Sequence, residues 1–117
     1  MKVIEEKWTR LTLYNIVDDL HRGSIQLDVY NNPENEVKAY ISNLWVLPEY
    51  RKRGIGKALL DKAEELAKER TDEEYVYLVY WEKDTPLYMF KYYKKRGYEE
   101  YAFGGPGKPV LMRKKLR

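Results

Sequence analysis

The sequence contains no cysteine and only one histidine, His21. Without cysteine the chain can form no disulfide, and it offers no thiolate as a nucleophile or as a metal ligand. A single histidine also excludes a histidine-rich metal site. We therefore expect a protein without a metal site, and the absence of cysteine agrees with a reducing, cytoplasmic location.

Long hydrophobic runs are also missing. The apolar runs are far shorter than the roughly 20 residues of a membrane-spanning helix, and the segment 1–6 lacks the apolar core of a signal peptide. The net charge is only +3, from 22 basic and 19 acidic residues, so composition alone demands no anionic partner. With 117 residues and no break in composition, we expect one domain over residues 1–117 and no membrane segment.

Tyrosine is abundant, with 12 residues, and it favours strands and half-exposed surfaces. Alternating or continuous apolar patterns predict strands over 8–16, 24–29, 37–47, 75–81, 98–103 and 109–116. In the third of these the apolar positions change from odd to even after Ile41. That change indicates a β-bulge at Ser42–Asn43, unless both faces of the strand are simply apolar there.

Two helices are predicted between the later strands. From Gly54 to Arg70 apolar residues recur with helical spacing. A second helix fits Pro86 to Arg96, because proline suits the first turn and Gly97 suits the position after the last. The order of elements predicts an α/β fold with a mixed, mostly antiparallel sheet. Its central strand–helix–strand unit should be a right-handed parallel crossover.

The segment that carries the chemistry connects the third predicted strand to the first helix, over residues 51–57. Gly54 and Gly56 let the backbone approach a ligand closely. The first amides of the helix have no partners within it and lie at the positive end of its dipole. With four basic side chains alongside, this loop is predicted to bind a phosphate or pyrophosphate.

Two other phosphate-binding motifs do not fit this loop. A Walker A loop needs glycine at position 51 and serine or threonine at position 58, where the chain has Arg51 and Ala58. A dinucleotide fingerprint needs a small residue at position 59, which is Leu59, and a βαβ unit that opens the chain.

Several blocks together resemble the GNAT superfamily of N-acetyltransferases. Arg51-x-x-Gly54-x-Gly56 matches its Gln/Arg-x-x-Gly-x-Gly/Ala signature, and residues 41–51 resemble its fourth strand and the exit from it. The stretch 90–98, which contains Tyr93-Lys94-Lys95-Arg96-Gly97-Tyr98, is similar to its second conserved helix, and 110–116 to its last strand. The resemblance covers roughly residues 37 to 116.

The resemblance implies transfer of an acetyl group from acetyl-CoA to a primary amine, by direct attack in a ternary complex. The acceptor would be a polypeptide lysine, an N-terminus or a small amine. The cofactor would lie between the fourth and fifth strands, which separate at a bulge. The residues that would bind it are Leu44, Trp45 and Val46 along the pantetheine arm, and Arg51, Lys52, Arg53, Gly54, Ile55, Gly56 and Lys57 around the pyrophosphate.

Two side chains are candidates for the chemistry. Tyr93 stands where the family keeps its general acid, which would donate to the leaving thiolate, and helical spacing places Tyr92 mainly elsewhere. Glu82, at the end of a predicted strand, is the nearest acidic candidate for the general base, although a solvated strand-end charge is the simpler interpretation. Other candidates stay open for that role: His21, Glu34, Glu36, Asp84, Glu99 and Glu100.

The sequence departs from the family in two places. Pro86 occupies the position of an asparagine that commonly contacts the cofactor. There is also no room between Ile16 and Ser24 for the two helices that wall the acceptor site in the family. The acceptor side is therefore expected to be open, which suits a bulky acceptor or a partner subunit. We expect a homodimer that covers the apolar surface left by those helices.

Two other functions remain possible at this stage. One is an acyl-CoA sensor with the same fold and no catalysis, because Pro86 and the missing base weaken the case for an enzyme. The other is a nucleic-acid-binding module, because basic residues cluster late in the chain among aromatic residues. The near balance of acidic and basic residues argues against the second.

Overall fold

The computed structural model describes all 117 residues. The chain forms seven strands, two α-helices and one short 3₁₀ helix at Pro48–Tyr50. The strands are β1 (Lys2–Lys7), β2 (Leu11–Val17), β3 (Gly23–Tyr30), β4 (Ala39–Val46), β5 (Tyr75–Tyr80), β6 (Glu99–Phe103) and β7 (Val110–Lys115). The helices are α1 (Ile55–Arg70) and α2 (Leu87–Arg96).

All seven strands belong to one sheet, in the order β1-β2-β3-β4-β5-β7-β6. The β4–β5 pair is parallel, with α1 as its crossover, and every other neighbouring pair is antiparallel. The expectation of a mixed α/β fold with a central parallel unit is confirmed. Neither helix has the length and apolar character that crossing a membrane would require.

Both helices pack on the same face of the sheet. The alternating residues of β2, β3 and β4 that point to α1 are buried, as Ile16, Leu27 and Ile41 show, and with Leu59 of α1 they belong to one hydrophobic core. Arg96 at the end of α2 forms an ion pair with Glu64 of α1 at 2.8 Å, so α2 lies on this face too. We call the opposite face, on which neither helix packs, the helix-free face.

The first strand was not predicted from the sequence. The segment Lys2–Lys7 pairs with β2, but most of its residues are exposed, so it lacks the apolar alternation of a half-buried strand. The strand predicted over 8–16 was wrong at its start, because β2 begins at Leu11 and residues 8–10 form the turn after β1. As a charged edge strand, β1 protects the end of the sheet from further pairing.

The bulge predicted in β4 is confirmed. Ser24 of β3 pairs with Trp45, and Gln26 pairs with Ser42, so Asn43 and Leu44 together face the single residue between them on β3. Asn43 has a positive φ of 54°, in the left-handed region that asparagine tolerates. The extra residue changes which side chains face the core and turns the end of β4 away from β5.

Candidate functional site

A cleft opens where the two central strands separate. The β4–β5 ladder has a single pair of partners, Tyr40 and Tyr77. Beyond it, the ends of both strands line a cavity of about 780 Å³. In a sheet with this topology, the space beyond the carboxyl ends of neighbouring parallel strands is where ligands bind.

Most of the predicted cofactor-binding residues line this cleft. They are Leu44, Trp45, Val46, Arg51, Lys52, Gly54, Gly56 and Lys57. The side chains of Arg53 and Ile55 do not: the Arg53 guanidinium lies 5.7 Å from the centre of the Tyr50 ring, and Ile55 is buried in the core.

The loop before α1 presents a series of free backbone amides. Residues 52–57 donate no backbone hydrogen bond within the chain, and α1 has no side-chain cap. Lys52 and Gly54 both adopt left-handed backbone conformations, with φ of 64° and 82°. Alternation of this kind turns successive N–H groups toward one point, and such a nest binds anions.

One side-chain contact holds this loop in place, and a second one positions Lys57. Arg51 Nε donates to the carbonyl oxygen of Val46 at 3.0 Å, which ties the loop to the end of β4. Lys57 Nζ pairs with Asp61 one turn along α1, also at 3.0 Å, and both partners are largely exposed. An exposed ion pair of this kind contributes little to stability, so the ammonium group of Lys57 can leave Asp61 and pair with a phosphate instead.

Tyr93 projects from α2 into the cleft wall. Its residue is 8% exposed, and its ring packs edge-on against Tyr98 at 5.9 Å. Burial, followed by the neighbouring Tyr92, raises the pKa of Tyr93 to about 12. Its hydroxyl makes no hydrogen bond within the chain, yet it is not among the fully enclosed unpaired atoms, so it is available to a ligand.

The prediction that Tyr92 lies away from the cleft was wrong. Tyr92 lines the same cleft, and its ring centre is 6.2 Å from that of Tyr93. Its hydroxyl oxygen is fully enclosed and has no partner. Neighbouring residues of a helix do point in directions about 100° apart, but the cleft extends along α2 far enough to include both rings.

Glu82 is a solvated charge just after the end of β5, in agreement with the simpler interpretation given above. Glu82 is exposed in the turn after β5, lines a neighbouring depression and does not line the cleft. Asp84, two residues later in the same turn, is the acidic residue that lines the cleft. The sequence could not separate the two, because the direction of a side chain in an irregular turn follows no period.

A partly buried ion cluster positions α2 against α1, and sequence reasoning missed it. Glu64 of α1 accepts hydrogen bonds from Arg96 Nε, from the Tyr98 hydroxyl and from Lys114 Nζ, at 2.8, 2.8 and 2.7 Å. Its partners lie 32 to 50 residues later in the sequence, so no local spacing predicts these contacts. The cluster fixes the end of the helix that carries Tyr93.

Pro86 is the N-cap of α2 and lines the cleft. Proline has no side-chain hydrogen-bonding group, so the contact that an asparagine makes in the family has no counterpart at this position. No group of three or more His, Cys, Asp or Glu side chains has the arrangement of a metal site.

Comparison with known proteins identifies the family. The model of the acetyltransferase (GNAT) family matches residues 12–98. The chain belongs to the GNAT acetyltransferase family. This confirms the resemblance drawn from the loop and from the second helix, and family membership indicates acyltransferase activity. No curated protein sequence matches the chain significantly.

Solved structures share the fold at low sequence identity. A GNAT acetyltransferase of Staphylococcus aureus has a TM-score of 0.67 at 20% identity, over 92% of this chain and 69% of that one. NAA60 of Arabidopsis thaliana, solved with a bisubstrate analogue, has a TM-score of 0.67 at 19% identity, over 91% and 75%. The ribosomal-protein-S18-alanine N-acetyltransferase of Escherichia coli has 0.64 at 15%, over 94% and 72%.

Proposed function

We propose that this protein transfers the acetyl group of acetyl-CoA to a primary amine, by direct attack in a ternary complex. The observation that carries the proposal is the cleft between β4 and β5, which leads to the unpaired amides of residues 52–57. Acetyl-CoA carries a thioester on a long arm and a pyrophosphate at the other end of that arm. The arm can lie in the cleft while the pyrophosphate binds the nest of amides at residues 52–57.

In this proposal the donor is held mainly by backbone groups. The amides of residues 52–57 bind the pyrophosphate, with Arg51, Lys52, Arg53 and Lys57 adding positive charge around it. The unpaired edge of β4 over residues 44–46 hydrogen-bonds the pantetheine arm as an added strand would. The carbonyl oxygen of Val46 already accepts a hydrogen bond from Arg51, so the backbone groups of Leu44 and Trp45 are more available to the pantetheine arm.

Acyl transfer needs a free amine, a stabilised oxyanion and a leaving thiolate. The nitrogen lone pair attacks the thioester carbonyl, the amide of Val46 or a neighbour stabilises the oxyanion, and the C–S bond then breaks. A thiol has an unperturbed pKa near ~8.5. Because the pKa of Tyr93 is raised to about 12, its hydroxyl stays protonated and can donate to the departing thiolate as the general acid. Asp84 replaces Glu82 as the acidic group placed to accept the proton of the amine, directly or through water.

The names of the structural neighbours support an amine acceptor without choosing one. They include a spermidine N-acetyltransferase chimera of Vibrio cholerae and a human enzyme, as well as the alanine N-acetyltransferase described above. Since small and polypeptide amines are both represented, we propose the class of primary amines and no single compound.

One observation favours a second candidate function, an acyl-CoA sensor without turnover. Pro86 removes a family contact to the cofactor, and the cleft contains one carboxylate, Asp84, which is largely exposed. A sensor would bind acetyl-CoA with a defined affinity and would release CoA no faster in the presence of amines than without them.

The test is a turnover assay with acetyl-CoA and a panel of amines, with products identified by mass spectrometry. The panel holds alkylamines, diamines and peptides with a free N-terminus or a lysine. Acetylated amine formed in step with free CoA supports the enzyme. Tight binding of acetyl-CoA by calorimetry with no product from any amine supports the sensor, and no binding of acetyl-CoA contradicts both.

The dimer remains a prediction. The turn over residues 18–22 joins β2 directly to β3, and the connection from β1 to β2 is equally short, so neither holds a helix that would cover the helix-free face. Light scattering at tens of micromolar protein should show twice the monomer mass, and a purely monomeric species would contradict the prediction.

A further inference from the structure

Two carboxylates of the chain are buried, and they differ in the partners that surround them. Asp18 is 7% exposed. Its carboxylate accepts two hydrogen bonds from the guanidinium of Arg22, one from Nε at 2.7 Å and one from Nη2 at 3.0 Å. The hydrogen bond from this guanidinium lowers the pKa of Asp18 to about 2. Asp28 is 8% exposed, but it takes part in none of the ion pairs of the chain. Its side-chain donors are both neutral: the amide of Gln26, at 2.6 Å, and the hydroxyl of Tyr30.

Asp28 lies on the helix-free face of β3. Its neighbours Leu27 and Val29 point to the core, so Asp28 points the other way, together with Gln26 and Tyr30. Asp28 stands directly opposite Tyr40 of β4 in the antiparallel register. Side chains opposite each other in such a pair lie about 5 Å apart at Cβ.

Two tyrosine rings experience the charge of Asp28. Burial, then the negative charge of Asp28 and the hydrogen bond to its carboxylate, raise the pKa of Tyr30. Burial, then Tyr30 and Asp28, raise the pKa of Tyr40. Both hydroxyl groups therefore stay neutral at ordinary pH, and the charge of Asp28 has no compensating cation among its neighbours.

This carboxylate adjoins the cleft. Tyr40 lines the cleft, and it is the residue at which β4 and β5 begin to separate. Gln26, which donates to Asp28, also accepts from the side chain of Asn43 at 3.4 Å, and Asn43 lines the cleft at the bulge. Asp28 thus lies next to residues that line the cleft, on the face opposite α1 and α2.

A buried carboxylate without a counter-ion is costly, and a cation bound beside it recovers much of that cost. An alkylammonium ion suits the surroundings, because its N–H groups can donate to Asp28 while the rings of Tyr30 and Tyr40 accommodate a cation and its methylene groups. We propose that Asp28, flanked by Tyr30 and Tyr40, binds a second ammonium group of the acceptor, apart from the amine that reacts, on the helix-free side of the cleft. This assignment rests on the proposed amine acceptor and places its cationic group.

The first experiment measures binding directly. The protein, saturated with CoA, is titrated with n-butylammonium chloride and separately with n-butanol, and NMR shifts of the tyrosine rings report binding. Wild type should bind butylammonium at least about 10-fold more tightly than butanol, because a hydrogen bond to a charged group is stronger than one between neutral groups. Equal affinity for the two probes would overturn the proposal.

The matched variants are Asp28→Asn and Asp84→Asn. Asp28→Asn keeps an oxygen for Gln26 and removes only the charge, so its melting temperature should equal or exceed that of wild type. It should weaken butylammonium binding about 10- to 100-fold and leave CoA binding unchanged. Asp84→Asn should leave butylammonium binding within about 3-fold of wild type. Loss of binding in Asp84→Asn alone would move the cation to Asp84 and overturn the proposal.

Turnover separates this proposal from the proposed function. With a diamine acceptor, Asp28→Asn should raise the KM for the amine about 10- to 100-fold, with kcat and the KM for acetyl-CoA little changed. If no amine is acetylated but butylammonium still binds through Asp28, the proposed enzyme fails and the ammonium site stands. If turnover occurs and Asp28→Asn changes neither binding nor the KM for the amine, the site fails and the enzyme stands.

Discussion

The two faces of the sheet differ in what covers them and in what they carry. The face under α1 and α2 holds the continuous apolar core, with Leu27, Leu59 and Met112 almost completely enclosed. The helix-free face holds tyrosines, polar side chains and Asp28, which has no cationic partner, and most of these residues are half-buried. The same strands build both faces, so the difference comes from the alternate residues of each strand and from the helices that cover one set.

This difference separates two tasks. The helices supply the anion-binding amides at the start of α1 and the hydroxyl of Tyr93, so the proposed donor site depends on the covered face. The proposed ammonium site uses strand side chains of the helix-free face. The cleft between β4 and β5 passes between them, and the chemistry would take place where the two meet.

The largest effect is expected from Gly56→Glu. An added Cβ at Gly56 would meet its nearest neighbour, Val46 Cγ2, at 3.8 Å, which is an ordinary contact, so the fold should survive. The new carboxylate would repel the pyrophosphate at the amides that should bind it. CoA affinity measured by calorimetry should fall by more than about 100-fold, a loss comparable to two charge-assisted hydrogen bonds.

Gly56→Ala is the matched control, because it adds the same Cβ without a charge and should retain most of the affinity for CoA. Butylammonium binding at Asp28 should be the same in both variants. A Gly56→Glu protein that binds CoA as tightly as wild type would show that the pyrophosphate lies elsewhere. A joint loss of both ligands would show that the two sites are not independent.

The next effect concerns Tyr93→Phe, which keeps the ring on the covered face and removes only its hydroxyl. A positioned proton donor contributes about 10²–10⁴-fold, so kcat should fall within or near that range, with CoA affinity preserved. Tyr92→Phe removes a hydroxyl that has no partner, so it should cost little activity and leave stability equal or higher. Equal losses of kcat at the two positions would assign Tyr93 to packing and the proton to water.

The sequence predicted the site better where the chemistry is in the backbone than where it is in side chains. Glycine spacing and the order of strand, loop and helix located the nest at residues 52–57, because these features are local. The change of apolar parity located the bulge within one residue. The β1 strand and the cluster around Glu64 were missed, since each depends on contacts between distant segments.

Asp28 is a further example of an environment that local sequence patterns do not predict. It occupies a polar position of an alternating strand, a pattern that predicts only a solvent-facing side chain. The structure shows it buried and without a cation, because β2 and β4 lie on either side of it and no basic residue stands opposite: its partners in register are Leu13 and Tyr40. Only the strand register, which no local pattern of this sequence specifies, brings these neighbours together.

The smallest expected effect compares one leucine from each face. Leu59 is completely buried between α1 and the sheet, whereas Leu13 is half-buried on the helix-free face of β2. Leu59→Ala leaves a cavity in a close-packed core and should lower the free energy of unfolding by about 2–5 kcal/mol. Leu13→Ala leaves space that solvent can fill, so its cost should be about 1 kcal/mol or less. Urea unfolding with unchanged m-values measures both differences. Equal losses would mean that the helix-free face is covered in solution, and a cost of Leu13→Ala that grows with protein concentration would identify the cover as a second copy of the chain.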